Sequence, residues 1–213
     1  MNNTFKITHI FILALFTIMI CWWIIELKQG KMPIMDQWTR GFVEMVKHTP
    51  VYSFFAWVTK LGSKPFILPF SIVMSVVIFF LYRNIVPVIF FAFGTLGARY
   101  LNRLIKHIIE RERPSISALL DAEGFSFPSG HAMNSIVCFS LLAYFLSKKY
   151  SSKKASRIIW VIAGLIIFLV GISRYVINVH FLTDIIAGFF FGYLWVHLLL
   201  FIYKKIKNRR ITH

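Results

Sequence analysis

Six stretches without a formal charge, counting histidine as neutral, leave this chain few ways to fold. They cover residues 8–25 and 65–82 (18 residues each), 84–98 (15), 124–147 (24), 158–173 (16) and 185–203 (19). A hydrocarbon core of ~30 Å takes about 20 helical residues at ~1.5 Å each. The longer stretches span it alone, and the two shortest do so with flanking residues. The expected fold is all-α: a polytopic membrane protein with six transmembrane helices, residues 1–213 forming one membrane-embedded domain. The first stretch is too long, and too weakly basic in front, for a cleaved signal peptide, so it is expected to be retained. Only 15% of residues are charged and 58% are hydrophobic, whereas soluble domains carry about 25% charged residues. That excludes a disordered chain, a disulfide scaffold and an ordinary cytosolic enzyme. Cys21 and Cys138 lie inside apolar stretches and read as small fillers, not as a disulfide or a metal pair.

A net charge of +16 would suggest nucleic acid in a soluble protein; here it reads as topology. Six crossings put both termini on one side. That side holds half of the 24 Lys and Arg residues and none of the 8 acids, with the short loop 148–157 and the C-terminal tail carrying most of them. Basic residues in short loops stay cytoplasmic. The termini are therefore placed in the cytoplasm, with anionic lipid and not nucleic acid as the expected contact. On the other side, Ile34, Met35, Trp38, Phe42, Met45 and Val46 recur at helical spacing, with Asp36, Gln37, Arg40, Glu44 and Lys47 between them. This pattern over 33–50 predicts an interfacial amphipathic helix at headgroup level, either a lid packed on the bundle or part of substrate binding.

Ionisable residues at membrane depth are costly and mark function. Three clusters are expected at the outer ends of the third to sixth helices. Lys106 and Arg113 are seven residues apart. On a helix ended by Pro114 they would share one face, ~10.5 Å apart along the axis, an ammonium and a planar fork converging on one anion. With Glu110, Arg111 and Glu112 among them, the stretch also reads as a solvated charged loop. In Pro128-Ser129-Gly130-His131, Ser129 suits an N-cap, and Gly130 lets an anion approach the free N–H groups of a helix start. An ordinary capped helix with a hydrogen-bonded His131 has the same pattern. His180 and Asp184 are four apart, so a helical turn brings them together. A carboxylate on one imidazole nitrogen fixes the tautomer and leaves the other nitrogen as a nucleophile. Arg174 reaches the same place across the preceding loop, although a His–Asp pair that merely holds two helices would look alike. Gathered in one pocket, the clusters supply three cations, a helix N-terminus and two histidines with one carboxylate, which suits phosphoryl transfer. The sequence has neither a carboxylate cluster of the kind that holds Mg²⁺ or Ca²⁺ nor a GxxxxGK loop.

These motifs resemble the three-part signature of the type-2 phosphatidic acid phosphatases, which share a site with vanadium haloperoxidases and glucose-6-phosphatases. K-x6-RP, PSGH and SR-x5-H-x3-D are matched by Lys106 to Arg113-Pro114, by Pro128 to His131, and by Ser173-Arg174 to His180 and Asp184, with every spacing kept. The signature covers 106–184. The resemblance implies that His180 attacks phosphorus and carries a phosphohistidine, that Asp184 orients it, and that His131 protonates the leaving oxygen. Lys106, Arg113, Arg174, Ser129 and the backbone of Gly130 would hold the phosphoryl oxygens, with no metal or other cofactor. The implied activity is hydrolysis of a lipid headgroup phosphate at the outer membrane face. The implied substrate is a membrane phospholipid or a polyprenyl pyrophosphate, such as phosphatidylglycerophosphate going to phosphatidylglycerol or undecaprenyl pyrophosphate going to undecaprenyl phosphate. A lipid-headgroup phosphotransferase and an anionic-lipid binding or transport protein are the alternatives. The complete set of His180, Asp184 and His131 weighs against the second, because binding alone needs only cations. His107, His9 and His197 are expected to be packing residues and His48 interfacial.

Overall fold

In the computed structural model, which describes residues 3–47, 49–114, 122, 124–150 and 152–209, each apolar stretch forms the body of one long helix. These are α1 (Asn3–Lys28), α4 (Lys64–Tyr82), α5 (Ile85–Ile109), α6 (Gly130–Lys149), α7 (Lys153–Val176) and α8 (Leu182–Arg209), each long and apolar enough to cross a membrane. Between α1 and α4 run α2 (Ile34–Val46), α3 (Pro50–Val58) and a 3-10 turn at Thr59–Gly62. The chain is an all-α, multi-pass membrane protein. Lipid offers no partner to a free peptide group, and a helix satisfies its own.

Local chemistry sets the ends. Arg83 adopts a left-handed conformation (φ 49°) that stops α4, and Asn84 caps α5 by accepting from the Val86 N–H at 2.8 Å. Ser152 caps α7 through the Ala155 N–H at 3.3 Å. Two boundaries depart from the charge-free stretches. α6 begins at Gly130 and not near 124, because Pro128 has no N–H to give and Ser129 stays extended at the N-cap. α5 continues past Ala98 to Ile109, where Glu110 turns left-handed (φ 57°) and donates its N–H to the Lys106 carbonyl at 2.8 Å. α5 thus ends before Pro114, and Lys106 and Arg113 do not share a helix face as the spacing suggested.

α6 is the central helix. Half of its 20 residues are buried, against 11% of the apolar stretch of α1. Met133, Val137, Leu141 and Phe145 recur every fourth residue along it, packing with Phe91 of α5, Ile78 of α4 and Val196 and Leu199 of α8. α8 approaches α6 closely through Gly188 and Gly192. A Cβ on Gly188 would stand 2.6 Å from the Ser129 carbonyl oxygen, and one on Gly192 2.2 Å from Ile136 Cγ2. This small-xxx-small face lets two backbones meet in lipid, and it sets α8 against the very start of α6. Large apolar side chains such as Phe11, Ile18, Val161 and Leu165 remain exposed around the bundle, as a lipid-facing surface requires.

α2 is amphipathic in an instructive sense. Trp38 (79% exposed) and Met45 (72%) point away from the bundle, whereas Asp36 and Val43 are buried against it. Tyr175 of α7 donates its hydroxyl to the Thr39 carbonyl and stacks on Phe42 with ring centroids 5.9 Å apart. On α2, Trp38, Phe42 and Met45 are turned toward the surroundings, and Asp36 toward the protein. His48, the side chain of His9 and most of the 115–123 segment lie outside the described residues.

Candidate active site

The third motif is built at the passage from α7 to α8. Asn178 (φ 59°) reverses the chain after α7, and the N–H groups of Val179 and His180 both donate to the Arg174 carbonyl at 3.1 Å. His180 therefore precedes α8, and Asp184 sits in its first turn. The pair meets across a helix start and not along a continuous helix. Asp184 Oδ2 accepts from the Phe181 N–H at 2.9 Å and lies 3.2 Å from His180 Nδ1. An ionised carboxylate can only accept, so Nδ1 carries the imidazole proton and Nε2 keeps its lone pair. The second motif is tied to the third through backbone, because the Ser129 N–H donates to the Asp184 carbonyl at 2.9 Å. Gly188 makes that approach possible.

Ser129 occupies the N-cap of α6, but its hydroxyl makes no capping bond and is buried without a hydrogen-bond partner. The reading of Ser129 as a side-chain cap is thus corrected. Gly130 is required by a neighbour: a Cβ there would stand 3.0 Å from Asn102 Oδ1, and the Asn102 amide in turn donates to the Pro128 carbonyl at 3.1 Å. His131 follows in the first turn, 7% exposed, with Nε2 unpartnered.

The three signature cations surround this centre by different routes. Arg113, beyond the end of α5, donates from Nη1 to the Val179 carbonyl at 2.8 Å and lies 3.0 Å from His180 Nε2; its Nε–H donates to the Gly124 carbonyl at 2.9 Å. Lys106 donates to the Phe125 carbonyl and, at 3.4 Å, to the Ser126 carbonyl. Arg174 is wholly buried and donates to Thr59 Oγ1 at 2.9 Å. Burial first, and then the positive charges of Arg113, Lys106, Arg174 and Arg111, hold the His180 imidazole well below the ordinary histidine range. Its bond to Asp184 opposes this shift without reversing it.

Sequence reasoning missed the support beneath the pair. Arg111 is buried and bridges two carboxylates: Nη1 to Asp184 Oδ1 and Nη2 to Asp36 Oδ2, both at 2.7 Å. Thr183 closes the ring. Its hydroxyl accepts from Arg111 Nη1 at 2.8 Å and donates to Asp36 Oδ2 at 2.6 Å, and its N–H donates to Asp36 Oδ1 at 3.0 Å. The Arg111 guanidinium also lies over the Phe181 ring, 3.9 Å from its centroid. So Arg111 is not part of a solvated loop. The one available signal was Asp36, an acid in the first turn of a short amphipathic helix. His107, edge-on to Phe125 at 5.9 Å, and His197, whose Nδ1 lies 3.0 Å from the Tyr193 carbonyl oxygen, are both exposed side chains and not buried packing residues.

Two cavities meet at His180 and Arg113. One, of about 210 Å³, is lined by Lys106, Arg113, Gly130, His131 and His180 together with Lys64, Arg99, Asn102 and Arg103. The other, of about 590 Å³, lies under α2 and includes Asp36, Glu44, Glu110 and Glu112 in its wall. Its wall mixes these acids with Lys31, Arg40, Arg111 and Arg113, whereas among the described residues no carboxylate lines the first. The first gathers five of the eight sequence-derived site residues. Asp184 and Arg174 lie buried behind it, and Ser129 at the start of α6.

An α-helical bundle with this cleft at one end defines a class of protein. The PAP2 superfamily model matches residues 87–208, and the chain belongs to that family: it is a membrane phosphatase. Among curated proteins it is 40% identical over 156 residues to phosphatidylglycerophosphatase B of Bacillus subtilis (strain 168), covering 72% of this chain and 75% of that one. It is 35% identical over 85 residues to lipid A 4'-phosphatase of Porphyromonas gingivalis, covering 40% and 33%. Among solved structures it resembles a transmembrane PAP2-type phosphatidylglycerolphosphate phosphatase from Bacillus subtilis, with TM-score 0.75 and 30% identity over 89% of this chain and 96% of that one.

Proposed function

We propose that this chain removes the terminal phosphate of a lipid headgroup through a phosphohistidine on His180, with phosphatidylglycerophosphate as its first substrate. The observation that carries the chemistry is the His180 imidazole, with Nδ1 on Asp184 and Nε2 facing a cation-lined cleft. The choice of lipid follows the 40% identical relative. His180 Nε2 forms a bond to phosphorus as the bond to the headgroup oxygen breaks, and His131 Nε2 supplies that oxygen with a proton. Water then attacks phosphorus, gives its proton back to His131, and inorganic phosphate leaves as the P–N bond breaks. Lys106, Arg113, Arg174, Ser129 and the Gly130 backbone hold the phosphoryl oxygens. Such charge clamping supplies most of the catalysis in a loose phosphoryl transition state.

Purified protein given phosphatidylglycerophosphate, undecaprenyl pyrophosphate and phosphatidic acid, with EDTA present, should release phosphate fastest from the first. No release from any of them would sink the reading, and preference for the polyprenyl pyrophosphate would change the substrate. The acid limb of kcat/KM should fall below pH ~6.5, the unperturbed histidine value. A lowered His180 pKa keeps the attacking nitrogen unprotonated until the pH drops through that lowered value. Arg113→Gln should move the limb upward. An acid limb above pH 7 in the wild type would contradict the assignment.

The cleft is assigned to the extracytoplasmic side, because the opposite end carries the basic loop between α6 and α7 and the basic end of α8. In a background with Cys21 and Cys138 replaced by alanine, Gln29→Cys should react with an impermeant maleimide on intact cells and Lys153→Cys should not. The reverse pattern would place the chemistry in the cytoplasm.

A further inference from the structure

The anion cleft is lined by more basic side chains than those of the signature. Lys106 and Arg113 face it and Arg174 lies behind it, yet Lys64, Arg99 and Arg103 line it as well, and among the described residues no carboxylate does. None of these three belongs to the signature. Arg99, Arg103 and Lys106 stand at i, i+4 and i+7 on α5, so they form one stripe that runs ~10.5 Å along the axis. The stripe descends from the site into the span. Arg99 lies ten residues short of Ile109, about 15 Å along the helix, beside lipid-facing Leu96 and Tyr100. Lys64 starts α4, eighteen residues before Tyr82, and Arg103 lies eighteen after Ile85, so both stand ~27 Å from the far end of this hairpin.

We propose that Arg99, Arg103 and Lys64 form a second anion subsite, which takes the acyl-side phosphate of a lipid that carries two phosphates while the terminal one lies at His180. This rests on the lipid phosphatase reading above and names the substrate class within it. The direction of the stripe agrees with the chemistry of such a lipid, whose diester phosphate sits nearer the acyl chains than its terminal phosphate. The length of the stripe selects the linkage. Two phosphates in an anhydride share one oxygen and would be served by one tight cluster, whereas two phosphates bridged by glycerol need cations spread along the cleft.

The test compares kcat/KM for three lipids of equal acyl composition: phosphatidylglycerophosphate (glycerol-bridged), diacylglycerol pyrophosphate (anhydride) and phosphatidic acid (one phosphate). Arg99→Gln and Arg103→Gln should each lower the ratio of glycerol-bridged lipid to phosphatidic acid by roughly tenfold or more, mainly through KM, as expected for loss of a charged hydrogen bond. Arg103→Lys, which keeps the charge, should recover most of that ratio. An unchanged ratio, or equal loss on all three lipids, overturns the subsite while leaving the phosphatase reading intact. Loss confined to the anhydride overturns the glycerol-bridged assignment. A wild-type protein inactive on every lipid overturns the phosphatase reading and this subsite together.

Discussion

His180→Ala should lower kcat roughly 10⁴-fold or more, the scale seen when a covalent nucleophile is removed. The bundle should survive, since His180 lies in the turn before α8 and outside the hydrophobic clusters. A decisive form of the experiment uses an aryl phosphate, whose leaving oxygen needs no proton. His131→Ala can then still be phosphorylated but hydrolyses the P–N bond slowly, so acid-labile phosphoprotein should accumulate in it. None should form in His180→Ala. Substantial turnover by His180→Ala, or a phosphoprotein in it, would remove His180 from the chemistry.

The second large effect is expected one layer deeper. Arg111→Ala leaves two buried carboxylates, Asp36 and Asp184, without the cation between them. Breaking a buried pair by removing one partner costs about 3–5 kcal/mol, and here one removal breaks two. The midpoint of thermal unfolding should fall sharply. Asp36→Ala should cost less, because Arg111 keeps Asp184. Activity distinguishes support from binding: Arg111 is absent from the wall of the anion cleft, so in folded protein kcat should fall while KM holds. An unchanged midpoint for Arg111→Ala, or a loss carried by KM alone, would deny it the positioning role.

Charge-free length was sufficient to find the six spans, because a membrane-crossing helix advertises itself in composition. Where each helix ended was less legible. α5 carries Arg99, Arg103 and Lys106 on one stripe, so the apolar run stops at Ala98 although the helix does not. The run before α6 overshoots in the other direction, since Phe125, Phe127 and Pro128 are uncharged without being helical. The motif spacings located Lys106, Arg113, Gly130, His131 and His180 of the anion cleft but not Lys64, Arg99, Asn102 or Arg103, and two spacings were read with the wrong backbone. Arg113 lies past a left-handed Glu110, and His180 stands before its helix. Arg111 was illegible because its meaning lies 75 residues away in Asp36. No local pattern announces such a pairing, and mixed charges beside it mimic a solvated loop.

Helix α2 gives this enzyme a mechanical link to its solvent. One side of the helix offers Trp38 and Met45 to the headgroup layer, and from the other Asp36 grips Arg111, which grips Asp184. A force that lifts α2, whether a change in headgroup packing or a detergent that strips the interface, acts on the carboxylate that orients His180 without touching the transmembrane core. Activity in detergent is therefore expected to follow the seating of this short surface helix before unfolding sets in. A preparation that is inert yet well folded by helical content is the expected signature of the wrong amphiphile.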